Sequence, residues 1–129
     1  MSATTLQIVF DHLHDRGAGD MEAIAAQLHP DVVHQGVSEE LVCRGREEVL
    51  ERIRRSSGGD AGIDHLELVD AGDRVIVGLA GPRFLEVPWL QGQLFIVFTI
   101  RDGLIVRMDD HRTRSEAFTA AGAAVADWV

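Results

Sequence analysis

The sequence predicts an α+β fold in which a curved antiparallel sheet packs on N-terminal helices. Apolar residues recur at helical spacing in the first part of the chain, and strand-like runs joined by tight turns follow it. Helices that precede an antiparallel meander cover one face of its sheet. Because a twisted sheet that curls over helices leaves a hollow, we expect an internal pocket.

Three helices are predicted ahead of the meander. The first carries an apolar stripe over residues 6–13 and ends in the glycine-rich segment 17–19. Asp20 can cap a second, short helix over residues 21–28. The third covers residues 47–55, with acidic side chains early and arginines late, an order that matches the helix dipole.

Five strands and a closing helix complete the predicted order. The strands cover residues 31–37, 63–69, 74–80, 93–100 and 104–112. Tight turns at residues 70–73 and 101–103 join the last four in two pairs, and a long connection links the pairs, which predicts an antiparallel meander. Ser115 can cap the closing helix, residues 116–121.

Length and composition limit the choice of partners. The chain has 129 residues, 46% of them hydrophobic, which suffices for one core, so we expect a single domain over residues 1–129. It has 21 acidic and 12 basic residues and a net charge of −9, which would repel nucleic acid and anionic lipid. A lone cysteine and the lack of a long apolar run favour a cytoplasmic protein with no membrane partner.

The strand around residues 94–98 predicts a second contact surface. It is apolar on both faces, so its outer face must also be covered. A second copy of the chain is the simplest cover. We therefore expect a homodimer through the outer face of the sheet.

Three phrases, in this order of elements, resemble a known family. They are HPDVV at residues 29–33, RGREE at 44–48 and RDGLIVR at 101–107. The chain resembles the SnoaL-like branch of the nuclear transport factor two superfamily. The resemblance implies a cone of curved sheet with three helices, in a superfamily of polyketide cyclases, epoxide hydrolases, ketosteroid isomerases, dehydratases and non-catalytic binders. Function varies there with a few pocket residues, so it must be argued from the site.

Asp110 is the first candidate for a catalytic residue. Strand alternation puts Met108, Asp110 and Arg112 on one face, and the resemblance places Asp110 where SnoaL-like cyclases carry their catalytic aspartate. An apolar hollow favours the neutral form of a carboxylic acid, which suits an acid or base working near neutral pH. Arg112 favours the ionised form instead. The two residues therefore form either a catalytic pair, in which Arg112 orients the acid or the substrate, or an ion pair at the pocket mouth.

His12 and Gln35 are the next candidates. The resemblance aligns His12 with the hydrogen-bonding tyrosine of ketosteroid isomerases, where it would polarise a carbonyl; alternatively it is a buried histidine with one satisfied nitrogen. Gln35 and Ile96 align with the two isomerase aspartates, and the chain has no tyrosine, so the isomerase mechanism is disfavoured. Gln35 could still bind a ligand. Whether it or His34 faces the pocket depends on a one-residue register.

Apolar side chains are expected to line the pocket: Phe84, Ile96, Phe98 and Met108, with Trp89 as a lid or as part of the dimer seam. No spacing predicts a metal site, a phosphate loop or a nucleophile motif, so we expect no cofactor. Two functions remain open. The chain is a cofactor-free lyase, isomerase, cyclase or hydrolase acting on a small apolar metabolite, or it is a non-catalytic ligand-binding or dimeric scaffold module.

Overall fold

Four helices and six strands make up the part of the chain that the computed structural model describes, residues 4–56, 63–87 and 90–123. The helices are α1 (Thr5–Ala18), α2 (Met21–Gln27), α3 (Arg46–Ser56) and α4 (Arg114–Ala121). The strands are β1 (Leu28–Gln35), β2 (Val42–Arg44), β3 (His65–Ala71), β4 (Arg74–Ala80), β5 (Gln93–Arg101) and β6 (Leu104–His111). A 3₁₀ turn, Pro82–Leu85, follows β4.

Side-chain caps fix where the helices begin. Thr4 accepts a hydrogen bond from the backbone N–H of Gln7 at the start of α1, and Asp20 caps α2 in the same way. The predicted cap of α4 was wrong. Thr113, with extended backbone, accepts from the N–H of Glu116 at 3.2 Å, while Ser115 already lies inside the helix.

The α+β fold class is confirmed, but the sheet is mixed. Its order is β2-β1-β6-β5-β4-β3, and the predicted antiparallel meander accounts for β3 to β6. β1 lies parallel to β6, and the short strand β2, which was not predicted, pairs with the free side of β1. A parallel partner far along the chain has no turn signal, so local sequence does not reveal it.

The inner face of the sheet packs against α1, α2 and α3. Pairing irregularities between Thr99 and Ile100 in β5 and between Leu28 and Val33 in β1 bend the strands. Inward-facing residues of β4, β5 and β6 pack against apolar residues of the three helices and form one core. The fully buried residues that β4, β5 and β6 give to this core are Val75, Val77, Phe98, Ile105 and Met108.

The outer face is covered by α4. Ala117, Phe118 and Ala121 pack on a second buried cluster that includes Phe95 and Val97 of β5. Both faces of β5 are thus buried as predicted, but α4 of the same chain provides a cover that the sequence argument assigned to a second copy. The homodimer stays a prediction.

Candidate functional site

A cavity of about 690 Å³ lies between the inner face of the sheet, helices α1 and α3 and the 3₁₀ turn. This volume is within the range of small-molecule sites. Its walls are mainly apolar. Six of the apolar side chains are Leu13, Leu79, Phe84, Leu90, Leu94 and Ile96.

Asp110 and His34 form a polar pair on the cavity wall. His34 Nε2 lies 2.8 Å from Asp110 Oδ1, and the two side chains are 7% and 8% exposed. Strand order explains the contact: Asp110 lies near the end of β6, and the parallel neighbour β1 brings His34 beside it. The pair is therefore held by two central strands rather than by loops.

Arg52 completes the cluster from α3. Its Nη2 lies 3.5 Å from Asp110 Oδ2, so the two carboxylate oxygens face different partners. Arg52 follows Val49 by three residues and precedes Ser56 by four, so it lies on the inward side of the helix. This spacing was visible in the sequence, where the arginines of the third helix were assigned only to its dipole.

The hydrogen-bond pattern indicates which nitrogen of His34 carries the proton. An ionised carboxylate only accepts, so Nε2 must donate to Asp110. His34 Nδ1 is buried and has no hydrogen-bond partner among the residues that the structure describes. The contact with Asp110 therefore favours the tautomer that carries a proton on Nε2.

Arg112 does not pair with Asp110. It lies beyond the end of β6, is exposed, and borders a separate small pocket of about 270 Å³ together with His111 and Glu116. Asp110 also borders that pocket. The alternation that predicted an Asp110–Arg112 pair ends with the strand, and Arg52 supplies the guanidinium instead.

His34, not Gln35, faces the cavity. In the β1–β6 register His34 is opposite Met108, on the inner face, and Gln35 is opposite Asp109. Gln35 Nε2 donates to the backbone carbonyl oxygens of Gly36 and Ser38, so its amide stabilises the loop after β1. The ligand contact expected of Gln35 thus has no support in its position.

His12 lies in the core and does not line the cavity. Its Nδ1 is 3.0 Å from Gln27 Oε1, and Gln27 Nε2 donates to Asp15 Oδ2 at 2.5 Å. Its ring meets the Phe98 ring edge-on at 5.5 Å. Burial, helped by nearby Arg16, lowers the pKa of His12 from 6.5 to about 4, so the ring is neutral near pH 7. This geometry matches the structural interpretation, a buried histidine with one satisfied nitrogen.

The other predicted lining residues divide into three groups. Phe84 and Ile96 border the cavity. Phe98 and Met108 are fully buried in the core behind its wall. Trp89 lies outside the described residues.

Two further properties concern the described residues alone. Over residues 4–56, 63–87 and 90–123, no group of three or more His, Cys, Asp or Glu side chains is arranged to hold a metal ion. None of the helices in these ranges has the length and apolar character needed to span a lipid bilayer.

Comparison with known proteins identifies the family. The model of the SnoaL-like domain matches residues 9–108, more than half of the chain. The chain belongs to the SnoaL-like domain family. No curated protein sequence matches it significantly.

Solved structures similar to this SnoaL-like chain share its fold. An NTF2-like protein of unknown function from Cytophaga hutchinsonii aligns with a TM-score of 0.66 and 12% identity, over 92% of this chain and 97% of that one. A candidate polyketide cyclase from Sinorhizobium meliloti aligns with a TM-score of 0.63 and 24% identity, over 81% of this chain and 94% of that one. A candidate ketosteroid isomerase from Kribbella flavida aligns with a TM-score of 0.63 and 20% identity, over 85% of this chain and 79% of that one. At these identities the likeness concerns the fold alone.

Proposed function

We propose that this SnoaL-like protein binds a small, mainly apolar metabolite in its cavity and catalyses a cofactor-free proton transfer on it. Asp110 is the acid or base. The observation that supports this most is the Asp110 carboxylate on an apolar cavity wall, held at 2.8 Å by His34. Lyase, isomerase, cyclase and hydrolase steps next to a carbonyl or at an epoxide all use such a group.

Each member of the cluster has a distinct task in this proposal. Asp110 takes a proton from the substrate carbon or returns it to a neighbouring atom. His34 holds Oδ1 through its Nε2–H and so fixes the orientation of the carboxylate. Arg52, 3.5 Å from Oδ2, stabilises negative charge that passes from the carboxylate to the substrate oxygen.

The residue beside Asp110 on the neighbouring strand sets this chemistry apart from that of an isomerase with two carboxylic acids. Ile96 pairs with Asp110 across β5 and β6 and borders the same cavity. An apolar residue there cannot donate a hydrogen bond to a substrate oxygen. Arg52 is therefore the group proposed to stabilise an enolate.

A non-catalytic ligand-binding module is the second candidate. One observation favours it: both oxygens of Asp110 already have partners, His34 on one and Arg52 on the other. A buried charge cluster that is satisfied in this way can serve structure alone. The same cavity would then hold an apolar ligand without chemistry.

Hydrogen exchange on carbon separates the two candidates. The protein is incubated in deuterium oxide with the apolar ketones cyclohexenone, indanone and tetralone, and deuterium next to the carbonyl is measured by mass spectrometry. Asp110→Asn is expected to lower the exchange rate by about a hundredfold or more, since that is the usual contribution of a positioned acid or base.

Asp109→Asn is the matched control. Asp109 is the neighbouring residue on the outer face of β6, paired with Arg107 at 2.9 Å, so the same chemical change is made away from the cavity. It should exchange at the wild-type rate. Equal rates in wild type and both variants would favour the non-catalytic module.

A further inference from the structure

The cavity gathers positive charge in a protein whose net charge is negative. Arg16 from α1, Arg52 from α3 and Arg83 from the 3₁₀ turn all border it, against the carboxylates of Asp110 and Glu86. Over the whole chain acidic residues outnumber basic ones by 21 to 12. Three of the twelve basic residues, each from a different element, thus place their side chains at one apolar cavity.

Two of these arginines are engaged within the protein. Arg52 faces Asp110 at 3.5 Å, and Arg83 Nη2 donates to the backbone oxygen of Ser56 at 2.6 Å. Both still border the cavity and add to its positive potential.

Arg16 is the least satisfied of the three. Within the described part of the chain its guanidinium makes one long hydrogen bond, 3.4 Å from Nη2 to Ser56 Oγ. Among residues 4–56, 63–87 and 90–123, no carboxylate lies within ion-pairing distance of it, so its other donors are available to a ligand. Its place in the last turn of α1 stabilises the cation only modestly, because helix-end effects are worth about 0.3–1 kcal/mol.

The surroundings disfavour the charge on Arg16. Burial lowers the pKa of Arg16; the Asp110 carboxylate opposes this, and Arg83 and Arg52 add to the lowering. A guanidinium does not give up its proton under ordinary conditions. It remains a cation in an apolar wall, and an anion entering the cavity would relieve the cost.

We propose that the ligand is an apolar carboxylic acid whose carboxylate is bound by Arg16, with Arg52 and Arg83 adding to the positive potential. The proposal rests on the cavity being the ligand site, as in the proposed function, but not on any reaction there. A planar carboxylate matches the two parallel N–H donors of a guanidinium. The apolar body of the acid would lie against Leu94 and Ile96, which brings it beside Asp110.

A carboxylate fits better than a phosphate. Arg16 is in the C-terminal turn of α1, where exposed backbone carbonyls repel additional negative charge. Phosphate sites in proteins usually add backbone N–H groups from a helix N-terminus or a glycine-rich loop. The anion site here is built from side chains on a largely apolar wall, which suits a single negative charge on an apolar body.

Matched pairs of acids and amides test the proposal. Phenylbutyrate and phenylbutanamide, naphthylacetate and naphthylacetamide, and octanoate and octanamide differ only in the charged group. Their affinities are measured by calorimetry or ligand-observed NMR. Wild-type protein should bind at least one acid about tenfold or more tightly than its amide, as expected for a charge-assisted pair.

Three variants locate the source of this preference. Arg16→Gln should abolish the preference for the acid by lowering acid affinity far more than amide affinity, and Arg16→Lys should retain part of the preference because the charge remains. Arg55→Gln is the control: it removes the same charge from the end of α3, where the side chain is 78% exposed. It should bind both ligands as wild type does.

Several outcomes would overturn the carboxylate assignment. They are equal affinity for acid and amide in every pair, no binding of any pair, a preference that survives in Arg16→Gln, and displacement of the acid by inorganic phosphate at similar concentration. The proposal that Asp110 acts as an acid or base is tested by a different result. If the acid preference persists in wild type but ketone exchange does not depend on Asp110, the ligand class stands and only the chemistry is lost.

Discussion

Acidification should destabilise the fold through His12. The pKa of this histidine is lowered from 6.5 to about 4, mainly by burial. The folded protein therefore resists protonating it, whereas the unfolded chain takes up the proton below about pH 6.5. The stability that the neutral ring provides is present above that pH and is lost as the pH falls toward about 4.

The loss of stability can be calculated from the lowered pKa of His12. Each pKa unit corresponds to about 1.4 kcal/mol, so the free energy of unfolding should drop by roughly 2 kcal/mol between about pH 7.5 and about pH 5 through His12 alone. The loss should approach roughly 3 kcal/mol at about pH 4. Other groups titrate in this range, so the contribution must be isolated by a variant.

The variant His12→Asn isolates the contribution of His12 to the free energy of unfolding. The asparagine amide can donate to Gln27 as the imidazole Nδ1 does, but it does not titrate. The free energy of unfolding is measured by urea denaturation at several pH values for wild type, His12→Asn and His14→Asn. His14 is on the same helix with a 73% exposed side chain.

The wild-type curve should fall more steeply toward low pH than the His12→Asn curve, and the two should converge. His14→Asn should stay parallel to wild type. Parallel wild-type and His12→Asn curves between about pH 7.5 and about pH 5 would refute the burial argument for this ring.

Three further substitutions test the packing, two by urea denaturation and one by amide hydrogen exchange. Phe98→Ala should cost about 3–5 kcal/mol, because Phe98 is fully buried in the inner core; a loss below about 1 kcal/mol would contradict that. Gly78→Ala places a Cβ 2.9 Å from Phe95 Cε1 and should cost about 1–3 kcal/mol by displacing that ring, whereas an unchanged midpoint would show that the ring yields freely. Glu67→Gln weakens the two hydrogen bonds that Arg114 of α4 donates to this side chain. Amide hydrogen exchange should become faster in α4 and stay the same in α1. Equal changes in both helices would show that these hydrogen bonds do not anchor α4.

Much of the fold was predictable because its signals are local. Helical stripes, turn dipeptides and capping residues predicted α1, α2, α3 and the meander of β3 to β6. The parallel pairing of β1 with β6 was missed because it joins strands separated by most of the chain. The cover that α4 gives Phe95 and Val97 was missed as well, since a short, weakly patterned helix does not reveal which surface it will cover.

The site was predictable in part. Alternation along the last strand put Asp110 on the inner face, and it borders the cavity. Its partners could not be chosen from the sequence. His34 and Gln35 exchange faces with a one-residue shift in register, and the pairing of β1 with both neighbours determines that register.

Asp110 is proposed to act as a base on an apolar ligand inside the cavity. The most direct measurement is the rate of ring opening of nitrobenzisoxazole, an apolar compound whose elimination needs only a base in an apolar site. Wild type and Asp109→Asn should accelerate it equally, and Asp110→Asn should fall to the background rate. Acceleration that persists in Asp110→Asn, or that is lost equally in both variants, would contradict the role of Asp110 as the base.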